Sequence, residues 1–220
     1  MYKRQHQIDP TRVLEALRIA FQNTGGSLRT HTNVDEIATD GPQRIGAVVN
    51  EGETLWGRAL VVAAGAWSSQ LVSGLETPPL AVRPVRGQML SIDAGDPPLC
   101  RHIIRTPDAY LVPKSDGRLL IGATMEEVGF DDQPTAGGVF EPLRGAGEAL
   151  PVIYEQAILD IWCGHRPISH DNRPVVRRSD IDGLWFATGH GRNGYLLAPQ
   201  TAHVVAESLG KEFGWKSADK

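Results

Sequence analysis

The chain has 220 residues, 41% of them hydrophobic and 22% charged, with 26 acidic against 22 basic side chains and a formal net charge of −4. That balance describes a folded globular protein of one or two domains, and it excludes a disordered, collagen-like or disulfide-stapled chain. The basic footprint of a nucleic-acid binder is absent. The longest apolar run, 59–67, is far shorter than the ~20 residues of a membrane helix.

The first predicted element is a helix. Asp9 offers an N-cap, Pro10 suits the first helical position, and Val13, Leu14, Leu17, Ala20 and Phe21 recur at helical spacing until Gly25 and Gly26. Short alternating segments at 27–31 and 34–39 read as strands. A turn at Gly41 and Pro42 follows, then a hairpin of 44–50 against 53–58 through Asn50, Glu51 and Gly52. The continuous apolar run 59–64, closed by Gly65, predicts a strand buried on both faces, as in a parallel sheet covered by helices. Thr77, Pro78 and Pro79 mark a domain boundary. Beyond it the pattern is antiparallel: a strand over 82–92 interrupted at Gly87, then a hairpin of 109–113 and 118–123 around Ser115, Asp116 and Gly117. A helix over 140–150 contains Gly145 and Gly147. A strand at 157–163 leads into a turn at Arg166 and Pro167, followed by a strand at 183–188, an amphipathic helix over 196–209 and a frayed tail at 216–220. The outer segments are expected to share one sheet and 77–163 to form another, an α/β (α+β) arrangement of two domains.

The chain carries no G-x-S-x-G elbow, no H-E-x-x-H and no P-loop. His165 and His170 sit in polar surroundings that do not read as a metal site, so no metal is expected. Glu126, Glu127, Asp131 and Asp132 read as a solvated loop. Cys100 and Cys163 read as small buried hydrophobes in a reducing compartment, and residues 1–5 open no signal peptide, so a cytoplasmic protein without membrane or nucleic-acid partners is expected. The segment Gly189-His190-Gly191-Arg192-Asn193-Gly194 formally matches G-x-G-x-x-G between a strand and a helix, but no second strand with an acidic residue follows it. What remains is either a glycine-rich turn or a helix N-terminus suited to an anion or an electron-rich ring edge. Arg166 and Arg192 suit bidentate pairing with a carboxylate, and Tyr110 could add a hydroxyl; each also reads as an ordinary surface or strand residue.

Together these segments resemble the carboxyl-terminal three-fifths of flavin-dependent amine oxidoreductases of the D-amino-acid oxidase superfamily, in its glycine oxidase branch. The resemblance rests on Ile8-Asp9-Pro10, on Val61-Val62-Ala63-Ala64-Gly65-Ala66-Trp67-Ser68, on Arg86-Gly87-Gln88 and on Tyr110-Leu111-Val112-Pro113. It continues through Gly122-Ala123-Thr124-Met125-Glu126, Trp162 to Arg166-Pro167, and Ala187-Thr188-Gly189-His190 to Leu197-Ala198-Pro199. It implies a partial, Rossmann-like FAD-binding domain over 1–76 and 164–220, with an inserted antiparallel substrate domain over 77–163. Val34, Gly65, His190, Gly191, Arg192, Asn193, Gly194, Tyr195 and Leu196 would contact FAD, and Arg166, Tyr110 and Arg192 would bind the substrate carboxylate.

The implied reaction is oxidative deamination of glycine, a small D-amino acid or a secondary amine. Hydride passes to the flavin, oxygen is the acceptor and hydrogen peroxide a product, in a homo-oligomer serving thiamine thiazole synthesis. The alternatives are a D-amino-acid or sarcosine-type dehydrogenase with another acceptor, or an inactive fragment. The family's opening strand and its own G-x-G-x-x-G do not occur in these residues, so the chain is expected to be amino-truncated. His165 stands where the family has an apolar residue and Asn172 where glycine is common.

Overall fold

The computed structural model describes residues 7–41, 44–50 and 52–215. Residues 1–5, the 216–220 tail, and Pro42 and Glu51 of the two expected turns lie outside the described residues. The chain divides into two compact units, Met1–Val82 with Ser169–Lys220, and Arg83–Ile168.

The first unit opens with helix α1 (Pro10–Asn23), where Asp9 accepts a hydrogen bond from the Arg12 N–H at 3.2 Å. Its apolar stripe is uncovered, with Leu14 65% and Leu17 59% exposed. Strands β1 (Val34–Thr39), β2 (Ile45–Val49) and β3 (Glu53–Gly57) form an antiparallel meander. The expected strand at 27–31 does not form; His31 takes a left-handed φ of 53°, which breaks an extended run. Strand β4 (Leu60–Val62) leads through a 3₁₀ turn at Gly65–Trp67 into the short helix α2 (Ser68–Leu71).

The second unit holds strands β5 (Val82–Asp93), β6 (Ile104–Arg105), β7 (Tyr110–Pro113) and β8 (Arg118–Gly122), helix α3 (Ala136–Ala149) and strand β9 (Ile158–Ser169). The chain then returns to the first unit with β10 (Val175–Arg178), β11 (Leu184–Thr188) and helix α4 (Gly194–Phe213). There β11 lies between β10, antiparallel, and β4, parallel. The 59–64 run is therefore not buried on both faces: β4 ends its sheet among the described residues, Val62 is buried and Val61 is 37% exposed.

The five-stranded sheet runs β6-β7-β8-β5-β9. Register puts Leu90, Ile121 and Leu111 on one face, where they join Ile92, Leu119, Ala146 of α3 and Ile153 in one core. Three expectations are corrected here. Strand β5 is continuous through Gly87. Helix α3 begins at Ala136, capped by Thr135, and its glycines serve close approach: a Cβ on Gly145 would stand 2.9 Å from the Asp108 Cβ. Strand β9 runs straight through Gly164, Arg166 and Pro167, because a strand at a sheet edge tolerates a proline that lacks a ladder donor.

Both thiols are free and half-buried, not fully buried as expected, and burial raises each above the ordinary thiol range. Gly183, at φ 75°, has the Arg58 carbonyl oxygen 2.7 Å from where a Cβ would sit. Gly183→Ala combines a left-handed non-glycine residue with a backbone collision, so urea denaturation is expected to show a loss of roughly 2 kcal/mol or more.

Candidate functional site

The face of the five-stranded sheet opposite its core gathers a tyrosine hydroxyl and two arginines. Tyr110, Gly122 and Met89 share one rung across β7, β8 and β5. The Tyr110 hydroxyl leans across Gly122, where a Cβ would come within 3.1 Å of it, and donates to the Met89 sulfur at 3.6 Å. Thioether sulfur is a weak acceptor, so the hydroxyl keeps capacity for a ligand oxygen. Arg105, opposite Tyr110 in the β6–β7 register, places its guanidinium 6.0 Å from the tyrosine ring centre. The sequence reading missed Arg105, and an exposed arginine on a two-residue strand gives no signal by itself.

Arg166 reaches over β5 at Gly87. A Cβ there would lie 2.4 Å from both terminal nitrogens, so the missing side chain is what lets the guanidinium lie against the strand. Its Nη1 donates to the Thr124 carbonyl at 3.0 Å and to the Arg86 carbonyl at 3.3 Å. No carboxylate pairs with Arg166 among the described residues. One corner of the fork is thus fixed by neutral acceptors, and the positive charge stays available to an anion. The structure brings Arg166 and Tyr110 to one face of one sheet.

Arg192 belongs to the first unit. It sits exposed in a 3₁₀ turn, Gly191–Asn193, between β11 and α4. His190, just before it, bonds Thr201 Oγ1 through Nε2 at 2.8 Å, and burial lowers its pKa, which keeps the ring neutral at pH 7. Asn193 makes no side-chain cap, and the amide groups at Gly194, Tyr195 and Leu196 open α4 at the positive end of its dipole, directly after the 3₁₀ turn. Tyr195 is 48% and Leu196 78% exposed, two apolar surfaces beside those donors.

The carboxyl ends of the parallel strands β4 and β11 converge on this loop, the usual place for ligands of open α/β sheets. Buried Ser68 and Thr188 tie them together: Ser68 Oγ donates to Thr188 Oγ1 at 3.1 Å, and Thr188 Oγ1 donates to the Gly65 carbonyl at 2.9 Å. Gly65 has φ 56° and open space where a Cβ would be. Beside it a cavity of about 510 Å³ is lined by Asn33, Val34, Asp35, Ala64, Trp67, Gln70 and Leu71. Of these the sequence reading singled out Val34 for this role; the others come from the start of β1 with the residue before it, and from the turn after β4 together with α2, whose meeting is a tertiary fact.

The two departures from the family pattern fall in different units. His165 Nε2 lies 3.3 Å from the Asp131 carbonyl and its ring packs 5.6 Å from Phe130. Asn172 adopts φ 60°, the left-handed region asparagine tolerates best after glycine, as the resemblance to a family with glycine there would require.

A model of the FAD dependent oxidoreductase family matches residues 1–208. The chain belongs to the FAD dependent oxidoreductase family. It is 35% identical over 204 residues to the glycine oxidase of Geobacillus kaustophilus, covering 91% of this chain and 53% of that protein. A crystal structure of glycine oxidase from that organism superposes with a TM-score of 0.81 at 33% identity, over 94% of this chain and 54% of the other. The bifunctional protein ThiO/ThiG of Synechocystis is 35% identical over 207 residues, 92% of this chain and 30% of its own length. At 21% identity and a TM-score of 0.82, the L-proline dehydrogenase of P. horikoshii shares the fold. The chain spans about half the length of the glycine oxidases it matches. No helix among the described residues is long and apolar enough to cross a membrane.

Proposed function

We propose that this family member oxidises glycine or another small amino acid bearing a primary or secondary amine, with FAD as the redox group and oxygen as acceptor. The observation that carries the reading is Arg166, a guanidinium with one nitrogen held by two carbonyls and no carboxylate partner among the described residues, on the same sheet face as a tyrosine hydroxyl bonded to a sulfur. That pair suits a substrate carboxylate. Arg166 supplies charge and a planar fork, and Tyr110 supplies a hydroxyl donor. The second unit is then the substrate-binding one.

The residues of the first unit fit part of a dinucleotide. The cavity at Val34 is of ligand size, Gly65 leaves its backbone open, and the uncapped start of α4 offers amide donors next to apolar Tyr195 and Leu196. Val34 and Gly65 would hold the adenosine side; His190, Gly191, Asn193, Gly194, Tyr195 and Leu196 would line the ring side, with Arg192 as a further ligand contact. When bound, FAD supplies the two-electron acceptance that no side chain here can provide. The protein's share is orientation: fixing the carboxylate removes most of the freedom of a substrate only a few atoms long, and a neutral His190 adds no competing charge to its loop. No protein base is needed if the amine binds unprotonated. The free thiols suit a cytoplasmic setting, and the resemblance supports a role in forming the thiamine thiazole.

The reading is tested with the native flavoprotein and glycine, small D-amino acids and sarcosine. Anaerobic bleaching of the flavin with peroxide formation in air is the expected result. Bleaching without peroxide indicates a dehydrogenase, and no bleaching by any of the three ends the proposal. Gly87→Ala separates site from fold. The added Cβ displaces Arg166 while favouring an extended backbone, so KM for the amino acid is expected to rise by about tenfold with no loss of melting temperature.

A further inference from the structure

The described residues contain a buried charge that the proposed reaction does not use. Arg86 is 3% exposed, although it neighbours Gly87 on β5 and therefore points to the reverse face from Arg166. Its Nε and Nη2 both donate to Glu126 Oε2, the first at 3.0 Å, and its Nη1 donates to Asp131 Oδ2 at 2.8 Å and to the Gln133 carbonyl at 3.0 Å. Gln88, also buried, donates from Nε2 to Glu126 Oε1 at 2.8 Å and accepts from the Thr135 N–H, the cap of α3, at 2.8 Å. The backbones are laced as well. Arg86 and Glu126 exchange N–H···O bonds at 2.9 and 3.0 Å, and the Gln88 N–H donates to Thr124 Oγ1 at 2.9 Å.

Two links of this lacing reach the residues whose carbonyls take Arg166 Nη1: the Glu126 N–H donates to the Arg86 carbonyl itself, and the Gln88 N–H holds the Thr124 hydroxyl. One of the two carbonyls thus belongs to Arg86, and the other to Thr124, two residues before Glu126. We propose that Arg86, Gln88 and Glu126 are positioning residues: from the reverse face of the sheet they fix the Arg86 and Thr124 carbonyls, and those carbonyls fix which edge of the Arg166 fork is presented to a carboxylate. The inference rests on the reading of Arg166 as the carboxylate anchor. An ion pair with a buried arginine whose donor nitrogens are all bonded is a poor source of net stability but a good source of a single geometry, and here that geometry is handed to a neighbouring arginine.

Charge and position make opposite forecasts for Glu126→Gln. Removing a carboxylate leaves the surroundings more positive and should tighten an anion at Arg166, whereas loosening the carbonyls should weaken it. The test measures amino-acid KM and kcat, and the inhibition constant of acetate as a bare carboxylate probe, in native, E126Q, R166K and E126Q/R166K flavoprotein. A second titration of acetate follows the Arg166 side-chain Nε resonance by NMR, independently of turnover.

Weakening of acetate and of KM by about tenfold in E126Q, with kcat within about threefold, is expected, together with little further change when E126Q is added to R166K. Unchanged or tighter acetate binding in E126Q overturns the inference, and so does an equal loss in the R166K background, which would mark Glu126 as a general support of the fold. If R166K itself leaves KM and acetate binding intact, the carboxylate reading fails first and is distinguished by that. Should E126Q fail to fold, Thr124→Val, which removes the hydroxyl that accepts from the Gln88 N–H and bonds the Glu126 carboxylate, is read by the same titration with a loss in the same direction.

Discussion

Replacing Arg166 by lysine is expected to lower kcat/KM for the amino-acid substrate by on the order of 10²-fold or more, although the charge is kept. The guanidinium has donors for both duties at once: Nη1 is spent on the Thr124 and Arg86 carbonyls, and the remaining edge makes no hydrogen bond among the described residues. A lysine ammonium is a single point. Drawn to the two carbonyls it sits too far back for a ligand, and drawn to the ligand it leaves those carbonyls without their charged donor. Losing a charge-assisted pair worth about 3 kcal/mol corresponds to that fall. The loss should appear chiefly in KM and in carboxylate inhibitor binding, because the anchor holds substrate in the ground state as well. An unchanged kcat/KM would remove Arg166 from the site.

Much of this site was legible in the sequence because its parts carry local signals. Asp9-Pro10 announces α1, the Ser115-Asp116-Gly117 turn announces β7 and β8 with Tyr110 at the start of the former, and the glycine-rich segment before α4 announces an open helix end. What was misread has one physical origin: glycine and proline mark turns only when nothing tertiary claims them. Gly87 looked like a strand break because its partner, the Arg166 guanidinium, lies 79 positions away along the chain. Gly164 and Pro167 looked like a turn because the edge position of β9 is a property of the whole sheet.

Arg86 was legible only as part of a family motif, and Glu126 looked like one of several solvated acids. Charged residues are rarely buried unless paired, and pairing across separate segments leaves no mark in either. Burial alone would raise the Glu126 pKa. The hydrogen bonds from Thr124, Arg86 and Gln88 together outweigh it and hold the carboxyl below its ordinary value, so the network is ionised across the neutral range.

Prepared as an isolated polypeptide, residues 1–220 are expected to purify colourless and to form no peroxide from glycine. FAD affinity in such folds is divided between the pyrophosphate, held at a glycine-rich turn and helix N-terminus, and the distant ring. These residues contain one G-x-G-x-x-G, at 189–194, and it opens the last helix without the second strand and acidic residue that a dinucleotide turn requires. In the proposed reading it serves the ring side. Without a pyrophosphate cradle, even two charge-assisted hydrogen bonds forgone, ~3–6 kcal/mol, weaken binding by roughly a hundredfold to ten-thousandfold. The same polypeptide would leave apolar surface in water at Leu14 and Leu17 of α1, at Val61 of β4 and at Leu196 of α4, which favours self-association through the β4 edge. Adding the amino-terminal half of a family member, fused or in trans, should restore flavin absorbance and lower the light scattering together, because one surface would be covered as the other half of the cofactor site is supplied. A yellow, active and monodisperse preparation of the 220 residues alone would overturn this division of the FAD site.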